Sequence, residues 1–227
     1  MKLTYYGHAC FGVEIEGLHL LFDPFITPNE QVKGLVDIRK IPADFIFVSH
    51  GHEDHIADAV YLASRTQATI VSNFEICNWL NGQGVAKCHP MNTGGKWNFG
   101  KFSVKCTVAQ HSSALPDGSY GGNPMGFIVE GGGETFYYSG DTALTMDMQL
   151  IRSWAKLNFA VLPIGDNFTM GPEDAATCAK MIVSPTVVGV HYDTFGLIKI
   201  DHSQALEVFK NSGIQLLLPK IGETYSL

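Results

Sequence analysis

Phe45-Ile46-Phe47-Val48-Ser49-His50-Gly51-His52-Glu53-Asp54-His55 passes within eleven residues from an apolar run to a cluster of imidazoles and carboxylates. Pro42 precedes the run and Gly51 follows it, so 45–48 reads as a buried strand that stops where the polar groups begin. Side chains at the C-terminal end of a strand lie where open α/β sheets place their ligand crevices, because the next loop carries them over the sheet edge. Neutral imidazole and carboxylate are donors that zinc, manganese, iron and nickel accept. His50, His52, Asp54 and His55 offer up to four of them from one turn. Turn chemistry alone favours Gly, Asn, Asp and Ser and does not account for three histidines here. The stretch reads as half of a two-metal site.

Upstream, residues 2–6, 10–16 and 18–22 read as a meander of three short strands, with His8 in its first turn and Asp23 closing its last strand. Pro28, Gly34 and Pro42 make 25–44 a loop with a short helical turn near 35–39. Downstream, apolar spacing predicts a helix over 56–64, a strand over 68–72 and a helix over 73–81 that ends before Gly82 and Gly84. That order implies parallel strands with crossover helices. Residues 96–99 and 101–109 alternate as an antiparallel pair whose second strand delivers His111. The glycine-rich loop 112–124 suits a substrate flap. A hairpin of 125–130 and 135–139 ends at Asp141. A helix near 144–156, a strand at 159–162, a loop holding Asp166 and Asn167, and a helix over 173–182 that starts at Pro172 come next. The strand 186–190 delivers His191, and a helix over 203–212 and a strand at 214–218 complete the chain. Two β-rich halves with outer helices predict an αββα sandwich of α/β class, one domain over 1–227, with the site at the edge where the sheets meet.

Composition narrows the field. A chain of 227 residues can bury a sizeable core. A net charge of −7 disfavours nucleic acid as a partner, since phosphate binding rests on Lys and Arg. No apolar run approaches the ~20 residues that span a bilayer, and the N-terminus opens on a strand-like pattern without a signal-peptide core. A cytoplasmic protein is expected, with no membrane partner. Cys10, Cys77, Cys88, Cys106 and Cys178 are odd in number and scattered, so all five are expected to be small buried apolar residues.

His50, His52, Asp54 and His55 match the H-x-H-x-D-H signature of the metallo-β-lactamase superfamily, and Asp23, His111, Asp141 and His191 stand at suitable places for its other motifs. Gly7-His8-Ala9 and the stretch 163–172 resemble the small metal-dependent hydrolases of that superfamily near the ascorbate-6-phosphate lactonases. The resemblance covers essentially the whole chain. It implies two divalent ions, zinc foremost, with manganese, nickel or iron as alternatives. His50, His52 and His111 would hold one ion, Asp54, His55 and His191 the other, and Asp141 would bridge them. It further implies that Asp23 accepts a hydrogen bond from a ligand histidine, that Asp54 orients the nucleophile, and that His8 meets substrate, as an oxyanion donor or a proton source. Asp166, Asn167 and Tyr192 are expected in the substrate pocket. Diiron oxygen-reducing relatives carry an acid where this chain has His52, which favours hydrolytic metal. The implied activity is hydrolysis of a small-molecule ester, lactone or phosphodiester, since paired ions polarise the scissile group and acidify water. The alternative is a non-catalytic metal-binding sensor or scaffold on the same fold, recognisable by a closed coordination sphere. A homo-oligomer is compatible with either.

Overall fold

Alternation builds the first sheet. In a computed structural model that describes all 227 residues, β1 (Lys2–Gly7), β2 (Cys10–Ile15) and β3 (Leu18–Phe22) pair antiparallel. Leu3, Tyr5, Phe11 and Val13 are buried on one face, as a period of two requires. The apolar run ahead of the histidines forms β4 (Phe45–Phe47), parallel to β3 and to β5 (Thr69–Asn73). β6 (Cys88–Met91) extends the sheet beyond β5, and β14 (Thr224–Ser226) closes its other edge against β1.

The second sheet contains β7 (Lys96–Asn98), β8 (Phe102–Val108), β9 (Met125–Gly131), β10 (Glu134–Tyr138), β11 (Phe159–Pro163), β12 (Thr186–Val190) and β13 (Gln215–Leu217). Each sheet has seven strands, ordered β14-β1-β2-β3-β4-β5-β6 and β13-β12-β11-β10-β9-β8-β7. Aromatic residues from both fill the space between them. Phe22 stacks on Phe11 at 4.6 Å and on Phe47 at 4.8 Å, and meets Phe136 and Tyr138 of the opposite sheet edge-on at 5.6 and 5.7 Å. On the outer faces, α2 (Ala59–Thr66) and α3 (Phe74–Gly82) cover the first sheet, and α5 (Pro172–Ile182) and α6 (His202–Asn211) cover the second. Three apolar clusters separate four layers, which is the expected αββα sandwich.

Local departures have physical causes. The helix expected over 56–64 is two pieces, α1 (Glu53–Ile56) and α2. Asp58, between them, turns its carboxylate to Ile26 N (2.6 Å), Thr27 N (2.8 Å) and the Thr27 hydroxyl (2.6 Å), and pins the loop after Asp23. The loop 25–44 holds two 3₁₀ turns, at Glu30–Val32 and Ile38–Lys40. The helix expected near 144–156 is a 3₁₀ turn, Met146–Leu150, followed by the single turn α4 (Ile151–Trp154). β6 and β14 fall outside the strands expected from sequence. Both are short edge strands, and β6 contains Pro90, which such an edge tolerates. Cys88 on β6 is only partly buried, unlike the other four cysteines, which corrects the expectation for that residue. No helix is long and apolar enough to cross a membrane.

Candidate metal centre

Every donor leaves its strand at the same end of the sandwich. β4 and α1 supply His50, His52, Asp54 and His55, while β1 and β3 deliver His8 and Asp23. From the second sheet, His111 follows β8, Asp141 follows β10 and His191 follows β12. Main-chain bonds clamp the two sets together, His191 N to His8 O at 2.9 Å and Met125 N to Ser49 O at 3.1 Å. His8, Asp23 and His191 all have positive φ (55°, 41° and 57°), a conformation that costs a non-glycine residue about 1 kcal/mol or more and concentrates at functional sites. Gly165 shows the same crowding, since a Cβ there would lie 2.1 Å from His191 O.

Hydrogen bonds fix the imidazole tautomers. Asp23, fully buried, accepts from Ser49 N (2.7 Å), Ser49 Oγ (2.6 Å), His55 Nδ1 (2.8 Å) and the Tyr138 hydroxyl (2.5 Å). Because Ser49 Oγ spends its hydrogen on Asp23, it accepts from His50 Nδ1 at 3.0 Å. Both rings therefore carry hydrogen on Nδ1 and turn Nε2 toward the centre. The buried Nε2 of His55 has no hydrogen-bond partner, and the carboxylate oxygens Asp141 Oδ2 and Asp54 Oδ2 lie 3.3 and 3.8 Å from it.

Of three groups whose donor atoms all lie within 4.8 Å of one another, one is Asp23, His50 and His55, and the other two are His50, His52 and His111, and His8, Asp54, His55 and His191. Asp141 Oδ2 stands between them, 2.9 Å from His191 Nε2, 3.7 Å from His111 Nε2 and 4.0 Å from His50 Nε2. Lone pairs and carboxylates packed this closely need protons or cations among them. Without a cation, burial disfavours the His191 imidazolium, yet Asp141 and Asp54 outweigh it and raise its pKa to about 9. His55 follows the same pattern, burial opposing and Asp141, Asp54 and Asp23 prevailing, so its pKa is raised. Burial and the nearby His191 lower His8 to about 4. An orphaned Nε2, fixed tautomers and mixed N/O donors fit divalent metal.

The seven side chains named as candidate ligands from sequence thus come together, and Asp23 Oδ2 lies 2.8 Å from His55 Nδ1. His8 is fully buried and directs Nε2 at Asp54 Oδ2 (3.0 Å), with Nδ1 2.9 Å from Thr194 Oγ1, so its ring faces a donor rather than open solvent. Tyr192, expected in the pocket, is buried in the cluster under α6, edge-on to His202 at 5.5 Å. Asp166 and Asn167 are exposed on a loop joined to the Asp141 segment through Met170 N to Thr142 O at 3.0 Å. Sequence reasoning missed Ser49, Tyr138, Thr194 and Ser113, whose hydroxyl accepts from Gly51 N at 3.0 Å. Only Ser49 carried a signal, its place beside His50.

Comparison with known proteins places this arrangement. The family model described as Beta-lactamase superfamily domain matches residues 19–192, and the chain belongs to that superfamily. Within it, the chain belongs with the UPF0173 metal-dependent hydrolases: it is 50% identical over 227 residues to one from Christiangramia forsetii and 47% identical to one from Flavobacterium johnsoniae, with 100% of each chain covered. Among solved structures, Igni18, a metallo hydrolase from the archaeon Ignicoccus hospitalis, superimposes with a TM-score of 0.89 at 33% identity, covering 100% of this chain and 98% of that one.

Proposed function

We propose that this protein is a hydrolase in which His50, His52 and His111 hold one divalent cation, Asp54, His55 and His191 a second, and Asp141 bridges them. Zinc is the first choice of ion, and the same N/O donors accept manganese, nickel or iron. The observation that carries the reading is His55 Nε2, buried, unpartnered and fixed in tautomer by Asp23, aimed between two carboxylates. When bound, such ions polarise a carbonyl or phosphoryl oxygen and bring water to ionise near neutral pH.

The chain's own residues supply the rest. Asp23, Ser49 and Tyr138 hold His50 and His55 in orientation, and His8, anchored by Thr194, holds Asp54. Asp54 keeps 25% of its side chain exposed, so its carboxylate can accept a hydrogen bond from water and orient it. With His52 and His111 also reachable by solvent, the centre is open on one side, which favours an enzyme over the closed sphere of a sensor or scaffold. The substrate we propose is a small-molecule ester, lactone or phosphodiester. A cytoplasmic setting is supported by five unpaired cysteines.

Metal analysis should find about two equivalents per chain, and Asp141→Asn should abolish hydrolysis while leaving the fold. A metal-replete protein inert on ester, lactone and phosphodiester panels would overturn the enzymatic reading.

A further inference from the structure

Six large apolar side chains stand exposed on segments that adjoin the donors: Phe74 at the start of α3, and Tyr120, Met146, Phe168, Phe195 and Leu197 on connecting loops and 3₁₀ turns. Their placement follows from bonds already described and a few more. Asn73 Nδ2 donates to Gly121 O at 2.7 Å, and Ser113 Oγ reaches both Gly121 O (2.9 Å) and Gly51 N (3.0 Å). These bonds tie the segments that carry Phe74 and Tyr120 to the backbone between His50 and His52. Phe168 sits on the loop bonded to Thr142, next to Asp141, and Met146 lies a few residues beyond it. The Phe195 ring is 5.3 Å from His8 and 6.3 Å from Phe25.

The charge around this rim is one-sided. Segments 49–58, 109–124, 139–147, 164–171 and 191–198 contain no lysine or arginine, yet they carry Glu53, Asp117, Asp147, Asp166 and Asp193. Lys33, on the neighbouring loop, is engaged with Glu30 at 3.3 Å. Sites that select phosphate or carboxylate groups place Arg or Lys donors against them, and the loops that carry the donors supply none, the exposed Lys199 standing just past the last of these segments. Exposed rings beside a reactive centre are instead the usual means of holding an apolar group.

We propose that the centre takes an electrically neutral carboxylic ester or lactone bearing an apolar group, with Phe168 and Phe195 binding that group. The proposal rests on the hydrolase reading above and narrows its substrate away from phosphodiesters. In the reaction, water adds across the acyl C–O bond: its oxygen bonds to the carbonyl carbon, and the departing alcohol oxygen takes the proton.

The test uses the metal-reconstituted full chain with 4-nitrophenyl acetate, butyrate and octanoate and with bis(4-nitrophenyl) phosphate. The kcat/KM should rise about tenfold or more from acetate to octanoate, a fraction of the ~0.8 kcal/mol per CH₂ available from full burial, and exceed that for the diester. Phe168→Ala and Phe195→Ala should each cut the octanoate-to-acetate ratio severalfold, whereas Trp154→Ala, an exposed ring on the outer helical layer, should not. A flat chain-length profile, or a faster diester, overturns the substrate class and leaves the hydrolase standing. Absence of metal-dependent turnover with all four compounds counts against the hydrolase and removes this inference with it. If the phenylalanine variants change the sedimenting mass but not the ratio, the rings belong to a contact between copies, and the proposal is overturned.

Discussion

Asp23 gathers hydrogen bonds from both sheets: Ser49 and His55 on one side, Tyr138 on the other. The position of Asp23 was readable because it ends a strand in a stretch that resembles a known motif. Tyr138 was not, since strand alternation predicts an inward ring there and says nothing about where its hydroxyl points. Tyr138→Phe should cost about 1.5–3 kcal/mol in urea unfolding, the value of a bond to a charged acceptor, and should weaken metal binding by loosening His55. Unchanged stability and affinity would show that Asp23 needs only its other donors. His191 makes a further residue-scale prediction. Its pKa of about 9 means that, at pH 7 and without a cation, the ring is protonated. A metal requires the neutral ring, so binding releases protons and affinity should climb with pH until about pH 9. Calorimetric titrations in buffers of different ionisation enthalpy should give different apparent heats; identical heats would refute this.

Elements were legible where the periodicity was long and obscure where one side chain served a distant loop. The strands bearing the donors matched expectation because each is an apolar run ending in a polar turn. The helix after the metal loop broke at Asp58 because three hydrogen bonds to Ile26 and Thr27 outweigh helix continuity, a tertiary effect that no local pattern encodes. The turn after β11 offers a test at this scale. Gly165 is required there because its backbone passes directly beneath His191 O. Gly165→Ala should destabilise the protein by about 1–3 kcal/mol, the usual penalty of overpacking, and should also displace His191 and lower metal occupancy. Full occupancy with normal stability would mean that the β11 and β12 loops can separate freely.

For the molecule as a whole, the αββα layering followed from the order of elements, and the donor set from the motif and its resemblance. The rim of exposed rings and the burial of Tyr192 did not, because hydrophobicity says which residues avoid water but not which loop tips meet. The boundary between the sheets is also a boundary along the chain, since β1 to β6 precede the turn at 92–95 and β7 to β13 follow it, with only β14 returning to the first sheet. Residues 1–92 and 95–227, produced as separate polypeptides, should therefore recombine into one particle, with β14 as a clasp and the cations as rivets. Reassembly followed by light scattering should demand metal and be reversed by a chelator. If the fragments pair equally well under chelation, the aromatic interior alone joins the two leaves, and the cations serve chemistry without serving cohesion.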